Sequence, residues 1–235
     1  LEAIFGRVIN RLTYQECVAA GLVNQIYVNW TPVHMPDNPA DGISNEVVRK
    51  RHGIWRNEVR NRAVASRALS YGPDEQTLVL VETVEHLMFL RKHLPGFEAV
   101  YVGDNMSERD PAFYRKHGMM REDEEPVSPE RREQLRKGFE SGEVKKVIAN
   151  SVWDTGVDFV NLAIAVRADA LNSRTKDIQA PGRTARISSG KSRSVIEDFI
   201  DLWDRKMEDR ARQVRNSYRS RGWEDNWDDV MGRKP

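Results

Sequence analysis

From residue 77 onward, the chain alternates short apolar runs with helical segments, and this order restricts the fold more than any other feature. The first run, TLVLV at 77–81, is almost continuously apolar, which is typical of a strand covered on both faces. Further strands are expected at 99–102, 146–149, 162–166 and 194–199. Because helical segments separate the runs, they predict parallel strands joined by right-handed crossovers. The predicted fold is a doubly wound parallel α/β sheet flanked by helices.

The connecting segments carry helix signals of their own. Ser128 followed by Pro129 provides an N-cap and a first-turn proline, and Gly142 lies just beyond the end of that pattern. The predicted helices span 84–94, 128–139, 175–185 and 202–221. Residues 104–127 are predicted to form a polar loop.

The region before residue 73 predicts one strand and one long helix. Ile26, Val28 and Trp30 alternate with polar neighbours, as in a half-buried strand, and several prolines then interrupt the chain. With Ser44 as N-cap, a helix is expected to continue to about Tyr71. Its apolar face is expected to contain Val48, Trp55 and Val59, and its basic side Arg49, Lys50, Arg56 and Arg60.

These patterns divide the chain into three parts. We assign 1–72 to a linking segment that continues from a preceding domain, 73–222 to the α/β domain, and 223–235 to a flexible tail. The helices of the first part and the end of the second are thus N-terminal and C-terminal extensions of the sheet.

Composition narrows the class of protein. A length of 235 residues suits one large domain, and 39% hydrophobic residues can form a core. The net charge of +1 means that any nucleic-acid surface must be local. No run reaches the roughly 20 apolar residues that a membrane helix requires. One cysteine, Cys17, favours a reducing compartment, so we expect a cytoplasmic protein, and the five histidines lack metal-ligand spacing.

The strongest chemical signal is the segment QAPGRTAR, from Gln179 to Arg186. Arg183 and Arg186 are three residues apart, so a helix would place them on one face. Guanidinium groups bind phosphate through two parallel charged hydrogen bonds. Taken alone, the segment is equally compatible with a surface helix whose arginines contact only solvent.

Three further segments accompany QAPGRTAR in a fixed order. Together they resemble superfamily 2 helicases, whose motif VI has the form Gln-x-x-Gly-Arg-x-x-Arg. The segment from Ala149 to Asp158 resembles motif V, with Gly156 and Asp158 in its Gly-hydrophobic-Asp triplet. LVLVET, ending at Thr83, resembles motif IV, and the segment that begins at Ser128 resembles the helix before motif V. The resemblance covers residues 76–201 and implies a RecA-like C-terminal helicase domain.

The resemblance also implies roles for individual residues. Arg186 would be the arginine finger, with Arg183 as a second phosphate contact and Gln179 coupling the nucleotide to nucleic acid. Gly156 and Asp158 would approach ATP. Thr83, Asn150 and Ser151 would hold the nucleic-acid backbone. The family often has Thr at the position of Asn150, and its connection corresponding to 104–127 is usually shorter.

The nucleotide implied by this resemblance is ATP with Mg²⁺, held mainly by an N-terminal RecA-like domain of the same polypeptide. The Walker A loop of that domain has the form Gly-x-x-x-x-Gly-Lys-Ser/Thr. Residues 189–192, SGKS, match only its end, because Ala185 occupies the position of the first glycine. DEE at 123–125 follows no apolar strand, so it predicts a solvated loop and not a DExx box. We therefore expect no ATP hydrolysis by these residues alone and no metal ligands among them.

The rim of the sheet is the expected position of the nucleotide-facing groups. Ligands of open α/β sheets bind beyond the carboxyl ends of the strands. We therefore expect Arg183 and Arg186 at that rim, beside the loop that contains Gly156 and Asp158.

The last predicted helix carries both an apolar stripe and a basic surface. Its stripe contains Trp203, Met207, Ala211, Val214 and Tyr218. The basic side includes Arg215 and Arg219, and two interpretations stay open for them: contacts with a DNA backbone, or a solvated helix face. Together with this helix, the short segment after motif VI resembles phage and bacterial helicases that remodel branched DNA in recombination.

The sequence predicts the second motor domain of an ATP-dependent helicase, acting on DNA in a bacterial or phage-infected cytoplasm. Three alternatives stay open: a non-catalytic nucleic-acid-binding or scaffold domain, the helicase part of a restriction enzyme, and a motor that acts on RNA.

Overall fold

The computed structural model of the chain describes residues 12–102, 106, 110–150, 159–170, 183–188, 191 and 193–232. Its strands are Ile26–Val33 (β1), Thr77–Leu80 (β2), Glu98–Val100 (β3), Lys146–Ala149 (β4), Ile164–Arg167 (β5), Ser194–Asp201 (β6) and Glu224–Asp225 (β7). They form one sheet in the order β3-β4-β2-β5-β6-β1-β7, in which every pairing is parallel. The predicted doubly wound α/β fold is confirmed.

Helices cover both faces of this sheet. They are Tyr14–Ala19 (α1), Glu46–Lys50 (α2), Glu58–Leu69 (α3), Val84–Arg91 (α4), Asp110–Lys116 (α5), Pro129–Ser141 (α6), Arg205–Arg219 (α7) and Trp227–Val230 (α8). The helix α6 begins at the predicted Ser128 cap and ends at Gly142, which adopts the left-handed conformation with φ of 81°. Among the described helices, none is long and apolar enough to cross a membrane.

Successive side chains of the short strands point to opposite faces of the sheet, so helices must cover both faces. Val79 packs in the core beneath α3 and α4, whereas Leu78 and Leu80 pack with α6 on the opposite face. All four residues of β2 are buried. A strand covered on both faces has no polar side to expose, which is why the three residues after Thr77 are all apolar.

The first and last of the described strands, β1 and β7, join the same sheet. The strand β1, with Ile26, Val28 and Trp30 buried as predicted, pairs with β6 over its whole length. A boundary at residue 72 therefore does not separate β1 from the α/β domain. The prediction of a flexible tail is wrong for residues 224–230, because β7 pairs with β1 and Trp227 is 1% exposed. Trp227 packs edge-on against Trp30, with ring centroids 4.9 Å apart.

The long helix predicted from Ser44 to Tyr71 is interrupted. Asn45, not Ser44, caps α2, which passes into a π-helical turn at Arg51–Trp55. Asn57 then caps the new helix α3. The π turn and the restart shift the helical register, so Val59 is exposed while Arg60 is completely buried.

Two other predicted segments also differ. Residues 104–127 were expected to be a polar loop, yet they contain α5, whose Tyr114 is 6% exposed. Of the helix predicted at 175–185, the structure describes only Arg183–Ala185, which forms a 3₁₀ turn.

The π-helical turn brings Gly53 against the indole of Trp203. A Cβ added to Gly53 would overlap that ring, which is itself buried with Ile54 and Trp55. We therefore expect Gly53→Ala to lower the free energy of unfolding by about 1–3 kcal/mol, as overpacking of a close-packed core does. Urea unfolding would measure this loss.

Gly72→Ala is the matched control for Gly53→Ala. A Cβ at Gly72 would meet only the Glu75 carboxylate, at 3.6 Å, which is an ordinary contact. Its unfolding midpoint should stay close to that of the unaltered chain. Equal midpoints for the two alanine variants would contradict the proposed contact between Gly53 and Trp203.

Candidate nucleic-acid groove and arginine segment

A groove lies at the carboxyl ends of β2 and β4. These strands are parallel neighbours, so the residues that follow them meet at one edge of the sheet. The groove has a volume of about 690 Å³. Its lining includes Arg51, Arg56, Thr83, Glu85, Phe113 and Asn150. Two of the residues predicted to bind nucleic acid, Thr83 and Asn150, are thus brought together.

Thr83 is the N-cap of α4. Its hydroxyl oxygen accepts a hydrogen bond from the backbone N–H of His86 at 3.1 Å. The first turn of a helix presents backbone N–H groups and the positive end of the helix dipole, which favour phosphate. Thr83 therefore places a helix N-terminus at the groove.

Asn150 follows directly after β4. Its backbone N–H donates to the carbonyl of Val100 at 3.4 Å, and the residue is only 5% exposed. Its side-chain Oδ1 accepts no hydrogen bond from any part of the chain that the structure describes. A buried amide oxygen without a partner is unfavourable, and a donor from a ligand in the groove would satisfy it.

Two arginines on the far wall of the groove share one carboxylate. Arg51 Nε donates to both carboxylate oxygens of Glu85, at 3.1 and 3.0 Å, and Arg56 also pairs with Glu85. The arginine side chains are 38% and 44% exposed. Glu85 thus neutralises one of two accessible positive charges. The sequence does not predict this cluster, because its partners are about thirty residues apart and have no local spacing in common.

Glu82, another of the three carboxylates that line the groove, is held by hydrogen bonds within the fold. Glu82 accepts hydrogen bonds from Lys50 Nζ at 2.8 Å and from the Trp55 indole N–H at 3.1 Å. These contacts fix the π-helical turn onto the start of α4. Glu82 is therefore already paired within the fold.

The predicted arginine segment lies at the amino-terminal ends of the strands, opposite the groove. The backbone N–H of Asn24, two residues before β1, donates to the carbonyl of Ala185 at 2.7 Å, and Asn24 Nδ2 donates to that of Arg186 at 3.0 Å. The Ser194 hydroxyl, at the start of β6, donates to the Thr184 carbonyl. Residues 183–186 are thus at the amino-terminal edge, and the expectation of the carboxyl rim is wrong for them. The reason is that the segment directly precedes a parallel strand.

Arg186 itself is exposed at this edge. The Ser188 hydroxyl donates to Asn161 Oδ1. Asn161 follows Asp158 by three residues in the sequence. The arginine segment therefore contacts the part of the chain that immediately follows the Gly-Val-Asp triplet.

Lys191 stabilises the backbone of the arginine segment. Its Nζ donates to the backbone carbonyls of Thr184 and Arg186, the latter at 2.7 Å. Burial lowers the pKa of Lys191 to about 8, and the charge of Arg186 acts in the same direction. Its backbone N–H donates to the Ser188 carbonyl at 3.2 Å, as a turn requires. Lys191 thus holds backbone oxygens of the arginine segment.

Several predicted site residues lie outside the described part of the chain. They are Gly156, Asp158, Gln179 and Ser151, and for Arg183 only the backbone is described. Their proposed roles stay predictions. The described residues contain no group of three or more side chains that could hold a metal ion.

The two arginines proposed on α7 differ in environment. Arg215 donates to Asp225 at 3.1 Å and to Asp228 at 2.7 Å, and its side chain is 12% exposed. It therefore fastens α7 to the C-terminal strand and helix, and a phosphate would have to compete with two carboxylates for it. Arg219, one turn further on, is exposed.

Comparisons with known proteins agree with this architecture. The family model described as "Helicase conserved C-terminal domain" matches residues 61–188, more than half of the chain. No curated protein sequence is significantly similar.

Solved structures share the fold at low sequence identity. The DNA-bound Type ISP restriction-modification enzyme LlaBIII has a TM-score of 0.53 and 12% identity over 93% of this chain and 15% of its own. UvsW of T4 has a TM-score of 0.52 and 16% identity over 86% of this chain and 40% of its own. The C-terminal domain of the DEAD-box protein Dbp5 has a TM-score of 0.50 and 15% identity over 88% and 94%. The chain thus spans less than half of the length of the first two.

Proposed function

Because the chain belongs to the helicase conserved C-terminal domain family, we propose that it is the second motor domain of an ATP-dependent superfamily 2 helicase or translocase. The substrate proposed is DNA. In this proposal, the carboxyl edge of the sheet holds the nucleic-acid backbone, and the amino edge faces a nucleotide held by a first motor domain.

The observation that carries the proposal is the groove shared by Thr83 and Asn150. A helix N-terminus and two accessible arginines converge there, beside the side-chain amide of Asn150. Backbone phosphates are bound by such positive groups and helix termini irrespective of base sequence. Ser151 would extend this contact, and the exposed Arg219 is a further candidate.

The second part of the proposal concerns the amino-terminal ends of the strands, which would face the nucleotide. An exposed guanidinium such as that of Arg186 fits the phosphates of ATP, because its planar fork donates two parallel hydrogen bonds. Arg183 and Gln179 are proposed to assist it, with Gly156 and Asp158 nearby. Bound ATP with Mg²⁺ supplies the phosphoryl group that is transferred to water. The role proposed for this chain is to stabilise charge on that group from outside the domain that holds it.

Glu85 provides a test of the groove. Glu85→Gln removes the carboxylate that pairs with both Arg51 and Arg56, so both become more available to phosphate. We expect a several-fold higher affinity for single-stranded DNA. The slope of log affinity against log salt should steepen by about 0.7 for each additional phosphate bound. Fluorescence anisotropy of a labelled oligonucleotide across a salt series would measure both.

Glu58→Gln is the charge-matched control for this test. Glu58 pairs with Arg62 and Lys92 and does not line the groove. Glu58→Gln changes the net charge by the same amount but frees no arginine in the groove. The affinity of this variant for single-stranded DNA should therefore rise less than that of Glu85→Gln. If both variants bind equally well, phosphate binding in the groove is contradicted.

The finer proposal of DNA remodelling in recombination derives from the sequence resemblance. Comparing forked DNA, duplex RNA and Holliday junctions as substrates of the motor would test it against an RNA-directed motor. A non-catalytic scaffold would bind nucleic acid without any nucleic-acid-stimulated ATP hydrolysis. Stimulated hydrolysis would exclude that alternative.

A further inference from the structure

Phe113 is an exposed aromatic residue on the wall of the groove. It lies on α5, and 39% of its surface is accessible. The neighbouring Tyr114 is 6% exposed and anchors α5 in the core. Phe113 therefore faces the groove while the residue beside it fixes the helix.

Contacts on one side hold the Phe113 ring in place. The ring centroid is 4.2 Å from that of His117, with the planes tilted by 35°, and it meets Tyr114 edge-on at 5.5 Å. His117 Nδ1 lies 2.8 Å from the Phe113 carbonyl oxygen, which places the imidazole beneath the ring. A ring fixed in this way loses little additional freedom when a ligand stacks on it.

The surroundings of the ring favour a nucleobase as its ligand. Arg51 and Arg56 place two guanidinium groups in the same groove, next to the helix N-terminus capped by Thr83, and the carboxylates of Glu82, Glu85 and Asp110 line it as well. Cationic groups along a groove combined with an exposed aromatic ring are the features that bind single-stranded nucleic acid. Most of the other residues of this groove are polar or charged, which disfavours an apolar protein partner.

We propose that Phe113 stacks on a base of the single strand whose backbone lies along Thr83 and Asn150. This inference rests on the proposed function of the groove. Stacking on a phenyl ring tolerates any base, because every base has a flat π face. Phe113 would therefore increase affinity and hold one nucleotide in register without reading its sequence.

The test uses the whole chain with two labelled strands of equal length, an oligo-dT strand and a strand of abasic deoxyribose phosphates. Phe113→Ala should weaken binding of oligo-dT by roughly tenfold, the effect of losing one base–aromatic stack. Binding of the abasic strand should not change, because that strand offers phosphates but no base. Phe113→Leu should resemble Phe113→Ala, since leucine is apolar but cannot stack.

Tyr27→Ala is the matched control. Tyr27 is also 39% exposed, yet it lies on β1, several strands away from the groove. It should bind both strands like the unaltered chain. Equal weakening of both strands by Phe113→Ala, or full affinity of Phe113→Leu for oligo-dT, would overturn the stacking role alone. No binding of either strand by the unaltered chain would contradict the proposed function as well.

Discussion

Replacing Arg60 with methionine should lower the free energy of unfolding by about 3–5 kcal/mol, the cost of leaving a buried charge without its partner. Arg60 is completely buried, and its Nε donates to Asp201 at 2.9 Å while Nη1 donates to the Ala168 carbonyl at 2.8 Å. Methionine fills similar volume but leaves the Asp201 carboxylate, only 1% exposed, without this cation. Urea unfolding monitored by tryptophan fluorescence would measure the loss.

Arg62→Met on the same helix is the control for Arg60→Met. Arg62 pairs with Glu58 across one helical turn, with side chains 71% and 42% exposed. Exposed pairs of this kind contribute about 0.5 kcal/mol or less. The double variant Arg60→Met with Asp201→Asn should recover part of the stability, because no unpaired charge remains. A loss for Arg60→Met no larger than that for Arg62→Met would contradict the structural role of the ion pair.

Arg60 also shows a place where the helical register could not be predicted from the sequence. Counting at helical spacing from Val48 placed Val59 on the apolar face and Arg60 on the basic side, and the structure reverses both. The count assumed one uninterrupted helix, whereas the π-helical turn Arg51–Trp55 and the new cap at Asn57 change the register. A partner as distant in sequence as Asp201 has no local signal.

Strands such as β2 and β4 were predictable because burial on both faces leaves a short, mostly apolar run. The outermost strand next to β1 was not predictable. The strand β7 has two residues, Glu224 and Asp225, and its sequence is polar. Its place depends on Trp227 packing against Trp30, which lies nearly two hundred residues earlier.

The candidate site was predicted in part. Thr83 and Asn150 were identified from motifs at the ends of two apolar runs, and parallel pairing of those runs brings them to one groove. The edge occupied by Arg186 was not predicted correctly. A motif identifies the residues but not the end of the strands at which they lie. That end depends on how close the segment is to the next strand, here β6.

Replacing Arg186 with alanine should reduce kcat for ATP hydrolysis by roughly 10³–10⁵-fold in a protein that contains both motor domains. The reason is that charge develops on the transferred phosphoryl group in the transition state, and a guanidinium stabilises it there more than in the ground state. The KM for ATP should change far less. Binding of nucleic acid in the groove should be unaffected, because Arg186 and the groove lie at opposite edges of the sheet.

Arg193→Ala is the matched control for Arg186→Ala. Arg193 lies just before β6, its side chain is 50% exposed, and it pairs with Glu75. Its removal takes away the same charge near the same edge, so kcat should remain close to that of the unaltered protein. Arg186→Lys should recover only part of the rate, because lysine keeps the charge but lacks the planar fork.

The most direct test of the central claim is therefore kcat for ATP hydrolysis at saturating nucleic acid, measured for Arg186→Ala and Arg193→Ala side by side. The account predicts a loss of at least about a thousandfold for Arg186→Ala and little change for Arg193→Ala. A kcat for Arg186→Ala equal to that of Arg193→Ala would contradict the claim that this domain completes the ATP site of a motor.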